Sequence, residues 1–300
     1  MSLLALGSWR TYERIPREQG LSVMRAARER GVTFLDDARY NDETGSAPLA
    51  TGYSEVVFGE LFRAAGWRRE ETVVANKLWW EFWPEQSAAE ELEASLGRMG
   101  FDYIDLIYSF VATEGPPVEE IVAAVGELIA SGKARAWGIA NWEPADLAQA
   151  AAVASKLGVP PPCAAQLPYS VAMREYVESP AALDSLDRSG ASVVASFVLA
   201  GGLLSGKYDD PATSGRMSEE LDDPELGPFL RAVPALRALA AELDTTPAAL
   251  AVAFPLANDR VSSVLFGATT PEQVSENIAA ADLLARLTDA ELDRLRTFAF

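Results

Sequence analysis

The 300-residue sequence contains no histidine and a single cysteine, Cys163. The absence of histidine excludes Ser-His-Asp and Cys-His catalytic groups and histidine-ligated zinc, and we predict no metal site. A single cysteine excludes a disulfide within the chain, and its position in the apolar stretch PPCAAQL predicts a core residue. Because no apolar run reaches the length of a bilayer, we expect no membrane-spanning helix.

Positive charge is also scarce. The chain has 25 basic against 44 acidic residues and a formal net charge of −19. Such a surface repels nucleic acid and anionic membranes, so we expect a small-molecule substrate as the ligand rather than either of these. The start, MSLLALGSWRTYER, lacks the features of a signal peptide, which predicts a cytoplasmic location. Nothing in the sequence indicates the oligomeric state.

Short apolar runs alternate with amphipathic helical stretches along the whole chain, and 49% of the residues are hydrophobic. This alternation predicts one α/β domain over residues 1–300, a closed (β/α)8 TIM barrel. An open doubly wound sheet is the alternative, and we disfavour it because no G-x-G-x-x-G follows the first strand. The predicted strands are Leu3–Leu6, Thr33–Asp36, Thr72–Asn76, Tyr103–Ser109, Ala134–Ile139, Ala164–Gln166, Ser192–Ser196 and Ser262–Phe266.

Helices are predicted between these strands and after the last one. Two loops are long, Ala38–Tyr53 after strand two and Leu199–Phe229 after strand seven, and loops of that length are usually functional or disordered. In a barrel of this type, the chemistry collects at the carboxyl ends of the strands. The predicted helices are Gln19–Arg30, Ser54–Ala65, Ala88–Arg98, Val118–Ala130, Pro144–Leu157, Ala181–Ser189, Pro247–Leu256 and Pro271–Ala281.

Charged residues end two neighbouring strands. Asp36 and Asp37 end strand two, in VTFLDDARY, and Lys77, one of only four lysines, ends strand three. Adjacent strands would bring Asp36 and Lys77 within reach of an ion pair. The pair could simply be a buried salt bridge at the barrel mouth. Alternatively, the lysine could lower the pKa of a nearby tyrosine and make it a proton donor near neutral pH. The residues alone leave both readings open.

Seven segments, in order, resemble the aldo-keto reductase family. The resemblance implies a barrel that reduces carbonyl groups with NADPH, using an Asp, a Tyr, a Lys and a His. Asp36 and Lys77 match the family pattern, whereas the tyrosine is either Tyr40 or Tyr53. We favour Tyr40 because it lies nearer the strand end. The family histidine is replaced by Phe110, which makes this an atypical member. The segments are FLDDARY, GYSEVVFGELFR, VVANKLWW, FDYIDLIYSF, GKARAWGIANW, LAGGLLSGKY and FGATTPEQVSEN.

The resemblance also implies an NADP(H) site. Asn141 and Gln166 would hold the nicotinamide amide, and Gln273 and Asn277 would contact adenine. The turn that carries Leu203, Ser205 and Lys207, together with Arg216, would grip the phosphates, as would the segment of Gly267 and Thr269 before the last helix.

Two departures from the family pattern concern the cofactor. Threonines at 269 and 270 replace a common basic residue, but Arg216 could take the 2′-phosphate, which favours NADP over NAD. Ser196 stands where the family has an aromatic residue that stacks on nicotinamide. The neighbouring Phe197 would point the other way in a regular strand.

Aromatic residues cluster at the strand ends and predict a deep apolar pocket: Trp9, Trp79, Trp80, Phe110 and Trp142. We therefore predict an NADPH-dependent oxidoreductase that reduces a carbonyl, imine or activated C=C group in a bulky, largely apolar substrate. The alternative is a nicotinamide-binding regulatory or scaffold protein with little turnover. A lyase or isomerase that shares only the fold is disfavoured by the cofactor segments.

Overall fold

The computed structural model describes residues 1–111, 114–209, 217 and 220–298. Eight parallel strands pair in chain order, and the eighth closes on the first. The predicted closed (β/α)8 barrel is confirmed. The strands are β1 (Leu4–Gly7), β2 (Phe34–Asp36), β3 (Val73–Leu78), β4 (Ile104–Ser109), β5 (Ala134–Ala140), β6 (Ala164–Pro168), β7 (Ser192–Ser196) and β8 (Val261–Gly267).

The described residues contain eleven α-helices, and among them none is both long and apolar enough to cross a bilayer. The eleven helices are α1 (Arg17–Glu29), α2 (Tyr53–Ala64), α3 (Ala88–Met99), α4 (Val118–Ala130), α5 (Pro144–Leu157), α6 (Glu175–Glu178), α7 (Pro180–Ser189), α8 (Gly227–Glu242), α9 (Pro247–Leu256), α10 (Pro271–Leu284) and α11 (Asp289–Arg296). Three of them, α6, α8 and α11, were not predicted.

The two faces of the strands build two apolar clusters. One cluster lies inside the barrel, and the other packs the outward strand faces against the helices. Because neighbouring residues of a strand point to opposite faces, every second residue after an interior one also points inward. At the carboxyl ends of six strands, the residue two positions after an interior residue therefore also faces the inside of the barrel. These residues are Gly7 (after Ala5), Asp36 (after Phe34), Lys77 (after Ala75), Phe110 (after Tyr108), Gln166 (after Ala164) and Ser196 (after Val194).

Cys163 is exposed, so its prediction as a core residue was wrong. It lies immediately before β6, where the chain enters the amino end of the barrel, and its backbone N–H donates to Trp137 O at 2.9 Å. The apolar stretch around it reflects the strand that follows, not burial of the thiol.

Gly59 allows α2 to pack closely on α3. A Cβ atom at this position would lie 2.1 Å from the backbone oxygen of Met99. Because backbone must then move, we expect Gly59→Ala to lower the free energy of unfolding by about 3 kcal/mol. Gly97, on α3, is exposed and has open space around it. As the matched control, Gly97→Ala should stabilise the protein by roughly 0.5 kcal/mol. Urea unfolding measures both, and equal effects would contradict this packing.

Candidate active site

A cavity of about 800 Å³ opens at the carboxyl ends of the strands, within the usual size range of ligand pockets. Asp36 and Lys77 lie at its base and form an ion pair. Both residues are buried. The second carboxylate oxygen of Asp36 accepts a hydrogen bond of 2.9 Å from Gln166 Nε2. Both oxygens of Asp36 are therefore engaged, which offsets the cost of burying the charge.

The structure brings Tyr40, and not Tyr53, to this ion pair. Lys77 Nζ donates to Tyr40 Oη at 3.4 Å. The loop stays close to the end of β2 because Tyr40 O accepts a hydrogen bond from the backbone N–H of Gly52 at 2.9 Å. Tyr53 begins α2, and its hydroxyl accepts a hydrogen bond of 3.0 Å from Arg17 Nη2 on α1.

Burial raises the pKa of Tyr40 well above its usual value, and the charges of Asp36, Asp37, Glu13 and Glu55 raise it further. The pKa of Tyr40 is therefore not lowered by Lys77 as expected, because burial of the hydroxyl dominates and Asp36 balances the lysine charge. Tyr40 stays protonated at neutral pH. It is consequently a hydrogen-bond donor rather than an easily ionised acid.

Asp37 lies behind this group, fully buried. Ser8 Oγ donates to its Oδ1, and its Oδ2 has no hydrogen-bond partner among the described residues. Burial, reinforced by the charge of Glu55, raises the pKa of Asp37 well above its usual value. The carboxyl group is therefore retained in its neutral form over a pH range in which an exposed aspartate is ionised.

This shift makes stability depend on pH. The unfolded chain ionises Asp37 near its ordinary pKa of 3.8. As pH rises above that value, ionisation favours the unfolded state by about 1.4 kcal/mol for each unit of the shift. Asp37→Asn should therefore stabilise the protein more at pH 8 than at pH 5, as measured by urea unfolding. The exposed Asp282→Asn controls for the lost charge. A gain independent of pH would contradict the assignment.

The Ser-Glu pair at the start of α2 is structural. Ser54 Oγ donates to Ala38 O at 2.8 Å. The buried Glu55 accepts from Asn76 Nδ2 at 2.8 Å and pairs with Arg98 at 2.6 Å. These contacts tie α2 to β3 and α3 beneath the site. No role was predicted for Ser54 and Glu55 from the sequence, although both lie in the family-like segment GYSEVVFGELFR.

Arginines fasten the long loop after β2 to its neighbours. Arg39 is buried and donates to Glu81, in the loop after β3, at 2.7 Å. Arg10 follows β1 and pairs with Glu43 at 2.5 Å and with Glu220 at 3.0 Å. The loop that carries Tyr40 is thereby held on both sides.

Three of the five predicted pocket aromatics, Trp9, Trp79 and Phe110, line the cavity. The rings of Trp79 and Phe110 are stacked, with centroids 4.4 Å apart and an interplanar angle of 14°. Trp80 and Trp142 do not line it, contrary to prediction. Their indole N–H groups donate to Ser109, to Oγ at 2.9 Å and to the backbone oxygen at 2.7 Å. They thus hold the end of β4, which precedes Phe110.

Phe197 contributes to the cavity lining together with Ser196. Strand β7 ends at Ser196, and the alternation of side chains ends with it. Phe197 has a φ of 55°, a left-handed conformation that is uncommon for a bulky residue. Its ring packs edge-on against that of Phe229, with ring centroids 5.6 Å apart.

A polar arm of the cavity extends toward β8 and α10. One predicted cofactor residue, Leu203, is buried outside the lining of this arm, whereas the predicted Arg216 lies outside the described residues. Glu276, for which no motif predicted a role, also lines this arm. The predicted cofactor residues that line the cavity are Asn141, Gln166, Ser205, Lys207, Gly267, Thr269, Gln273 and Asn277.

The turn after β7 approaches this arm with exposed backbone. Gly201 and Gly202 have φ values of 65° and 99°, and both line the cavity. A Cβ atom at Gly202 would lie 2.7 Å from Cε of Lys207, so only glycine lets the lysine lie against the turn. Across the arm, Thr270 caps α10, whose N-terminal end carries partial positive charge.

The fold and this pocket define a (β/α)8-barrel protein whose cleft joins a tyrosine–lysine–aspartate group to an anion-compatible polar arm. The model of the aldo/keto reductase family matches residues 3–299, so the chain belongs to that family. Family membership supports oxidoreductase chemistry in general. It also confirms the resemblance on which the cofactor and site predictions rest.

Two curated relatives cover nearly the whole chain. A probable voltage-gated potassium channel subunit beta from Arabidopsis thaliana is 30% identical over 310 residues, covering 98% of this chain and 92% of that protein. A protein of the same description from Oryza sativa subsp. japonica is 32% identical over 315 residues, with the same coverages.

Proposed function

We propose that this chain is an NADPH-dependent oxidoreductase that reduces a carbonyl, imine or activated C=C group in a bulky, largely apolar substrate. The observation that carries the proposal is the 3.4 Å contact between Tyr40 Oη and Lys77 Nζ at the base of an aromatic-walled cavity. A protonated tyrosine beside a lysine supplies a directed proton, which reduction of a neutral acceptor requires.

The residues of the polar arm fit a dinucleotide phosphate. Lys207 supplies a cation, the glycine turn supplies open backbone, and the N-terminus of α10 supplies aligned N–H groups. When bound, the reduced nicotinamide would supply the hydride. Gln273 is held by Thr269, whose backbone N–H donates to Gln273 Oε1 at 2.8 Å. Its side-chain N–H groups remain available to a base.

In this proposal the chain's own residues handle the proton. Lys77 donates to the phenolic oxygen of Tyr40, which leaves the tyrosine O–H free to point toward the substrate. Asp36 holds the lysine, and Gln166 holds Asp36. When the proton leaves, the ammonium group stabilises the resulting phenolate. Gln166 therefore has a positioning role in addition to its expected contact with nicotinamide.

Lys207 gives the first test of the cofactor site. Loss of a charge-assisted hydrogen bond to phosphate costs about 1.5–3 kcal/mol, so we expect Lys207→Met to raise the Kd for NADPH by roughly tenfold or more. Lys156, exposed on α5, supplies the matched control, and Lys156→Met should leave the Kd unchanged. Because Trp9 and Trp79 line the cavity, quenching of tryptophan fluorescence reports binding. Equal Kd values for the two variants would contradict this placement of the phosphates.

The overall proposal is tested by following NADPH absorbance with aldehydes, quinones, imines and enones. Quenching of tryptophan fluorescence by NADPH together with turnover of one class supports it. Absence of quenching by both NADPH and NADH would contradict it. Stronger quenching by NADPH than by NADH would show that the 2′-phosphate contributes to binding.

A second candidate is a nicotinamide-binding regulatory or scaffold protein with little turnover. Phe110 favours it, because phenylalanine offers a substrate oxygen no hydrogen bond where family members use histidine. The descriptions of the two relatives as probable channel beta subunits also favour it. Tight NADPH binding with inertness across the whole panel would select this candidate over the reductase.

A further inference from the structure

The substrate end of the cavity combines aromatic walls with fixed charges that compensate one another. Trp9, Tyr40, Trp79 and Phe110 contribute rings to the wall. The edge of Tyr40 meets Trp79 with ring centroids 6.1 Å apart. Aromatic faces carry partial negative charge and attract cations. A wall of this kind therefore suits a flat apolar group that carries positive charge.

The fixed charges around this end are compensated. Asp36 and Lys77 form the ion pair at the base and largely cancel. Behind them, burial raises the pKa of Asp37 and keeps its carboxyl group neutral, while Glu13 pairs with Arg14 at 3.4 Å and Glu55 with Arg98 at 2.6 Å. The other charged residues of the described cavity lining, Lys207 and Glu276, belong to the polar arm. No uncompensated cation of the described lining is therefore left at this end to stabilise a developing oxyanion, whereas a cation that loses its charge needs none.

Phe110 reinforces this preference. Its ring is stacked on Trp79, where a second hydrogen-bond donor would stabilise a developing oxyanion. Loss of one such donor typically costs about 10²–10³ in rate. An acceptor that develops no negative charge does not incur this loss.

We infer that the group reduced here is a cationic C=N bond, an iminium ion on a bulky apolar skeleton. The inference rests on the proposed function and narrows its substrate class. Hydride from a reduced nicotinamide dinucleotide adds to the iminium carbon, and the C=N π electrons become the nitrogen lone pair. The product is a neutral amine, and the dinucleotide is oxidised by two electrons. No proton is needed in this step, so the rate does not depend on proton donation by Tyr40.

The test uses two bicyclic acceptors of similar shape, N-methyl dihydroisoquinolinium, which carries a fixed charge, and the neutral ketone tetralone. With the full chain and NADPH, and after subtraction of the rate without protein, kcat/KM for the iminium should exceed that for the ketone by at least about a hundredfold. Tyr40→Phe should lower ketone reduction strongly and iminium reduction by less than about tenfold. A ketone reduced as fast as the iminium, or an inert iminium, would overturn the inference while leaving the reductase proposal standing if another acceptor turns over.

A binding measurement gives a readout that is independent of turnover. N,N-dimethyl tetrahydroisoquinolinium and its neutral carbon analogue, dimethyl tetralin, are compared by tryptophan fluorescence in the presence of NADP⁺. The cation should bind on the order of tenfold more tightly. Equal or weaker binding of the cation would also overturn the inference. Failure of NADP⁺ and NADPH to bind at all would instead contradict the proposed function.

Discussion

Replacing Lys77 by methionine should lower kcat/KM for reduction of a neutral acceptor by about 10³-fold, within the range that proton-transfer groups contribute. The substitution removes the hydrogen bond to Tyr40 Oη and the positive charge that would stabilise its phenolate. Steady-state NADPH oxidation, with the best neutral acceptor of the panel, measures the effect.

The single variant also has a structural cost. Asp36 is buried, and without its partner it becomes an uncompensated charge, which typically costs about 3–5 kcal/mol. The double variant Asp36→Asn/Lys77→Met removes that charge and should recover much of the lost stability in urea unfolding. It should not recover activity. A double variant with wild-type turnover would show that Lys77 serves only the fold, which is one of the two interpretations that the sequence left open.

The two tyrosines give the second large effect. Tyr40→Phe should lower reduction of a neutral carbonyl compound by about 10²–10³-fold, because the proton donor is lost. Tyr53→Phe removes the same atom from a residue that contacts Arg17 on the outer helices, so its rate should stay within about twofold of wild type. Comparison of kcat/KM for the two variants decides the assignment. A rate loss confined to Tyr53→Phe would reverse it.

The pH profile of the same reaction provides an additional check. Because the pKa of Tyr40 is raised, its acid form persists to higher pH than that of an ordinary tyrosine. Activity that depends on this proton should therefore continue through the alkaline range in which exposed tyrosines ionise. A decline of kcat/KM with an apparent pKa below 10, absent from Tyr40→Phe, would contradict the electrostatic description.

The sequence was sufficient for the barrel because its signal is local and repeated. Each apolar run followed by an amphipathic stretch predicts one strand and one helix, and the eight strands close as predicted. The prediction from the sequence failed where helix-breaking residues lie within a helix. Helix α8 begins at Gly227 and contains Pro234, residues that normally argue against a helix, yet packing of Phe229 and Leu236 in the core stabilises it.

The sequence by itself determined that Asp36 and Lys77 lie on neighbouring strands, that histidine plays no part, and that the pocket is rich in aromatic residues. Only the tertiary structure decided that Tyr40 meets Lys77, that Trp80 and Trp142 support β4 outside the cavity, and that Phe197 adopts a left-handed backbone conformation after β7. The reason is that strand order and residue type are local properties. The direction of a loop side chain and the field at a buried hydroxyl depend on groups that are distant in the chain.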